Sequence, residues 1–131
     1  MALIRLTVEV PQDADERQLG DVREFCRVVT SVAHGFGHKV IVARPGSDVM
    51  RDEDLVVAVP ISFSSVTEEE LAAARDSNTP VFVLLPDHLA VPATVRKNPL
   101  VVDVKKWWGL GAAIEQVKRF LGQYQGTATV N

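Results

Sequence analysis

The chain has 131 residues, a formal net charge of −3, 47% hydrophobic and 24% charged residues. That is enough to bury one real core, and the balance excludes a disordered or fibrous chain. A mildly acidic domain lacks the positive field that phosphate neutralisation needs, which argues against a nucleic-acid partner. The single cysteine, Cys26, excludes an internal disulfide and suits a reducing, cytoplasmic setting.

The opening LIRLTVEV (Leu3 to Val10) alternates apolar residues with charge and polarity, so it reads as a strand and not as a secretory leader. A helix is predicted from about Asp15 to His34, with Leu19, Val22, Cys26, Val29 and Ala33 as its buried stripe. Asp13 with Glu16 has capping-box spacing, and Gly35 and Gly37 supply the stop. KVIVAR (Lys39 to Arg44) is the second strand, followed by PGSD and at most a short helix over Ser47 to Asp52.

LVVAVPI and VFVLL, from Leu55 and Val81 respectively, are continuously apolar, as strands covered on both faces are. They are far too short to cross a bilayer, so no membrane partner is expected. LVVDV forms a fifth strand. A last helix is predicted from about Lys106 to Leu121, with Leu110, Ile114, Val117 and Leu121 turned inward. The tail GQYQGTATVN has no periodicity, leaving 1–122 as a single α/β domain with a frayed 123–131.

Strands alternating with helices predict a three-layer α/β sandwich with a mostly parallel five-stranded sheet. Right-handed crossovers favour the flavodoxin-like order 2-1-3-4-5. Ligands bind such sheets at the carboxyl ends of the strands, beside the point where the order reverses. That places a candidate site at Gln12 and Asp13 after the first strand, and at Ser62 and Ser64 after the third. Asp87 and His88, after the fourth strand, share the same edge.

Several signatures are missing: no GxGxxG follows the first strand and no GxxxxGK[ST] occurs. His34, His38 and His88 have no metal-ligand spacing with Cys26 or with one another, so no metal is expected. His34 and His38 read as cations at a helix end, and Cys26 as a small core residue. The cations Arg96, Lys97, Lys105 and Lys106 read as solvated surface. Trp107 and Trp108, placed at the start of the last helix, read as one core ring and one surface ring.

The segment SSVTEEELAAARDSNTPVFVLL, Ser64 to Leu85, carries the one candidate catalytic group. Its Ser64, Val66, Thr67 and Glu70-Leu71 are similar to the TIR-domain pattern of a serine, a tryptophan-cysteine pair and a Glu-Leu helix start. Val66 and Thr67 stand where that pattern has tryptophan and cysteine. Asp54, Glu70 and Pro80-Val81 also resemble the corresponding places in the nucleoside 2-deoxyribosyltransferases.

The resemblance implies a nucleotide- or nucleoside-binding protein that cleaves or transfers an N-glycosidic bond, with Glu70 as nucleophile or oxocarbenium stabiliser. It implies no cofactor, with NAD as a candidate substrate. Gln12, Ser62 and Ser64 would meet ribose hydroxyls, and Asp13 or Asp87 would protonate the leaving base. A homo-oligomer is expected because the transferases build their sites across subunits. The alternative is a non-catalytic TIR-like interaction or signalling module. Glu70 also has an ordinary structural reading, because Thr67 to Glu70 spells a capping box with Val66 and Leu71 as its staple.

Overall fold

The computed structural model describes residues 2–44, 52–61 and 65–124, apart from the side chains of residues 65, 66 and 110. In chain order the elements are β1 (Leu3–Val8), α1 (Glu16–Gly35), β2 (Lys39–Ala43), β3 (Leu55–Val59) and α2 (Ser65–Asp76). Then follow β4 (Val81–Pro86), α3 (Ala93–Arg96), β5 (Val101–Trp107) and α4 (Leu110–Gln123). The five strands form one sheet in the order β2-β1-β3-β4-β5, every neighbouring pair parallel. This is the flavodoxin-like α/β arrangement, with the reversal between β1 and β3.

The two central strands explain the sheet's position. All residues of β3 and β4 are buried, because each strand presents apolar side chains to both helical layers. On one face Ile4, Leu6, Leu55, Val57, Phe82 and Leu84 pack against α1 and α4. On the other, Val56, Ala58, Val81, Val83 and Leu85 pack against α2 and α3. Phe120 of α4 stacks on Phe82 of β4 with ring centroids 4.2 Å apart and planes 7° apart, fixing that helix on the sheet.

Several element boundaries differ from the sequence expectation, each for a local reason. The capping box of α1 is Asp15 with Gln18, not Asp13 with Glu16. The Asp15 carboxylate accepts from the Gln18 N–H at 2.8 Å, and the Gln18 side chain accepts from the Asp15 N–H at 2.9 Å. The buried stripe of α1 is Phe25, Val29 and Ala33, while Leu19 is exposed. Gly37, at φ +85, makes the left-handed turn out of α1, a conformation that suits a residue without Cβ.

At the far end, β5 runs three residues past the expected LVVDV because Lys105, Lys106 and Trp107 pair with Leu84, Leu85 and Pro86 of β4. Trp107 therefore ends a strand, and α4 begins later and continues to Gln123. Tyr124 is also tied down, its hydroxyl donating to the Asp54 carbonyl at 3.4 Å. The expected short helix at 47–52 falls largely outside the described residues, as do residues 125–131. Among the described residues no helix is long and apolar enough to cross a membrane.

Candidate functional site

The reversal of strand order forces the loops after β1 and β3 to leave in opposite directions, and a crevice opens between them. Val8 and Val59 end these two strands with side chains on the α1 face. Together with Pro11, Ile61, Val22 of α1 and the Trp107 indole they wall a cleft of about 220 Å3 that opens to solvent. Glu9, Gln18 and Asp21 add its polar groups.

Two hydrogen bonds make this cleft a formed structure. Trp107 Nε1 donates to the Leu84 carbonyl at 3.1 Å, which fixes the indole plane against the core. Glu9 Oε1 accepts from the Ile61 N–H at 2.7 Å, pinning the strand that leaves β3 to the one that leaves β1. The described lining holds two carboxylates and no cation. An apolar wall with one aromatic ring suits a flat ligand, and carboxylates at the rim accept from hydroxyls or amines rather than bind phosphate.

Glu70 lies on the opposite face of the sheet. It is only 1% exposed and faces Arg5 of β1, itself 1% exposed. Arg5 Nε donates to Glu70 Oε2 at 2.7 Å and Arg5 Nη2 donates to Glu70 Oε1 at 3.1 Å, a two-pronged pair using both carboxylate oxygens. Arg5 also reaches the Arg44 carbonyl at 3.5 Å and the Glu53 carboxylate at 4.0 Å. The alternation of β1 dictates this placement: Arg5 and Thr7 share the α2 face, and an arginine carried there must find a counterion.

The capping-box reading of Glu70 is therefore corrected. α2 begins at Ser65, so Thr67 sits inside the first turn and Glu70 turns inward to Arg5. The Thr67 hydroxyl is buried and has no hydrogen-bond partner. It lies beside Thr7, Ala58, Pro60 and Glu70 in a space too tight to admit a water molecule.

The remaining sequence candidates are dispersed. Gln12 and Asp13 occupy the exposed turn after β1, and Asp87 and His88 the exposed turn after β4. All four lie on the carboxyl edge of the sheet, yet none lines the cleft or meets Glu70. Ser62 and Ser64 lie outside the described residues. Asp54 is at the amino edge, where its carboxylate accepts from the Leu3 N–H at 2.8 Å. The cleft residues Glu9 and Asp21 were not among the sequence candidates, and Trp107 reads in the sequence as a core or surface ring rather than a ligand contact.

His38 is not a helix-end cation: its Nδ1 accepts from the Ala2 N–H at 2.9 Å, and burial holds its pKa below the usual histidine value. Half-buried Cys26 packs beside the core, where burial pushes its thiol pKa up. Arg96 donates to the Val91 carbonyl, Lys106 to the Leu89 carbonyl, and Lys105 lies 3.9 Å from Asp103, so these cations serve separate local partners. Among the described residues no group of three or more histidine, cysteine or acidic side chains is placed to hold a metal. No protein-family model matches the chain, and no curated protein matches it.

Proposed function

We propose that this domain is a small nucleotide- or nucleoside-binding protein, with the Trp107 cleft as its ligand site. The carrying observation is an aromatic-walled apolar cleft at the carboxyl ends of β1 and β3, where open α/β sheets take their ligands. The resemblance of the Asp54 to Leu85 segment to enzymes of N-glycosidic bonds supports the same ligand class. Trp107 packs on the base, and Glu9 and Asp21 accept from ribose hydroxyls or base amines. With no cation among the described lining residues, the unphosphorylated nucleoside is preferred over the nucleotide.

Binding without cleavage is the reading the geometry supports best. A nucleophilic Glu70 would have to leave Arg5, with which both of its oxygens are engaged, and reach a ligand from the other face of the sheet. A thermal-shift panel of nucleosides, their monophosphates and NAD tests this directly, because a native-state ligand raises apparent stability. Nucleosides are expected to raise Tm and to change Trp107 fluorescence, with monophosphates weaker. Replacing exposed Asp21 with arginine should reverse that order. A panel without any shift refutes the ligand class. Release of free base that disappears in a Glu70→Gln variant still folded by circular dichroism would return catalysis to that carboxylate.

A further inference from the structure

The sheet ends in two outer strands of very different character. β5 carries Asp103, Lys105 and Lys106 among its seven residues and has an irregular register against β4 at Val81/Phe82. Charge and irregularity of this kind discourage edge pairing. β2 has neither. It reads KVIVA, with Lys39 as its single charge, no proline and an unbroken register against β1. Ile41 is 44% exposed and Val42 is 53% exposed, and they point to opposite faces of the sheet. No described strand pairs with its outer edge.

The backbone decides which register a second strand would take. Lys39 donates its N–H to the Ala2 carbonyl, so Lys39, Ile41 and Ala43 direct their backbone groups toward β1. Val40 and Val42 direct theirs outward. In an antiparallel pair, opposed residues that face each other exchange both hydrogen bonds, and the residues between them bring side chains closest. A two-fold axis through Ile41 satisfies that pattern. Val40 then meets Val42 of a second copy, Ile41 meets its own counterpart, and Lys39 meets Ala43. The whole strand is used and no like charges are opposed.

We propose that the chain self-associates through β2, joining two copies antiparallel about an axis at Ile41 into one continuous sheet. The contact is isologous, closes at two copies, and pairs the open backbone edge of β2 while setting Ile41 beside its counterpart on one face and Val40 beside Val42 on the other. It stands apart from the Trp107 cleft, which lies at the carboxyl ends of the central strands. The prediction is therefore independent of ligand identity.

Sedimentation velocity of the full chain tests it, with two substitutions chosen to spare the fold. Ile41→Lys places like charges against each other on the axis. Val42→Pro removes an outward N–H while leaving the β1 ladder intact, the one position type at which an edge strand tolerates proline. The wild type is expected at about twice the 14.3 kDa of the chain. Both variants should fall to half the wild-type mass with an unchanged far-ultraviolet circular dichroism spectrum. Val102→Lys, at an exposed site on β5, should leave the mass as it is.

In the wild type, hydrogen exchange at the Val40 and Val42 amides should slow as protein concentration rises, a readout that needs no variant. A wild type that remains monomeric at the highest concentration overturns the proposal. So does a dimer that survives both β2 substitutions, or one that Val102→Lys dissolves.

Discussion

Removing the Glu70 charge should destabilise the fold far more than removing Glu68 or Glu69, which are exposed on the same helix. Glu70→Gln keeps size and shape but leaves Arg5, 1% exposed, without its principal counterion. Breaking a buried pair from one side costs about 3–5 kcal/mol. Arg5 would retain the Arg44 carbonyl at 3.5 Å and the Glu53 carboxylate at 4.0 Å, so the lower end, about 3 kcal/mol, applies. With a urea m-value of about 2 kcal/mol/M, the unfolding midpoint drops by about 1.5 M. The joint replacement Arg5→Met with Glu70→Leu removes both charges and fills the space with apolar atoms, so most of that loss should return. Urea melts of the wild type, each single variant and the pair form a double-mutant cycle. A single-variant cost below about 1 kcal/mol would refute the buried-pair account. So would a joint variant as unstable as the sum of the singles.

His38 predicts an acid-sensitive component of stability. Folding lowers its pKa through burial, so as pH falls the unfolded chain takes up the proton first. Its contribution is complete above the ordinary histidine value of 6.5 and is lost as pH drops below it. The fall in Tm between about pH 7.5 and 5.5 should accordingly be smaller in His38→Asn than in the wild type. Asn78, at φ 56, ends α2 in a left-handed conformation that lets the Thr79 N–H reach the Ala74 carbonyl at 2.8 Å. Asn78→Val should cost about 1–2 kcal/mol in a urea melt, while Asn78→Gly should leave the midpoint close to wild type.

The architecture was legible because its signals are local. LVVAVPI and VFVLL are apolar throughout, which only strands buried on both faces require, and alternation with helices then leaves few permitted orders. The site residues were harder to read because their partners are distant in sequence. Arg5 and Glu70 are 65 positions apart, and nothing in LIRLTVEV distinguishes an arginine that will be buried from one that faces water. Trp107 reads in the sequence as the start of the last helix, because the cross-strand pairing that holds it in β5 is not a local signal. The Lys106 ammonium finds the Leu89 carbonyl, and pairing with β4 carries the strand through to the indole. The capping box at Thr67 was a correct spacing in the wrong place, overridden by the counterion that Arg5 demands.

The two helical layers do not hold the sheet equally. Among the described residues, fifteen buried hydrophobic side chains form the core on the α1 and α4 side, and eight form the one beneath α2 and α3. Partial opening of a native protein follows the least-packed unit first. The α2 layer, with its unsatisfied Thr67 hydroxyl, is therefore expected to open before α1, α4 and the Trp107 wall. In native-state hydrogen exchange, α2 amides should respond to low denaturant as a group before those of α1. Such an excursion would bring the buried Glu70 carboxylate into contact with solvent. It would occur without disturbing the face of the sheet on which a ligand rests.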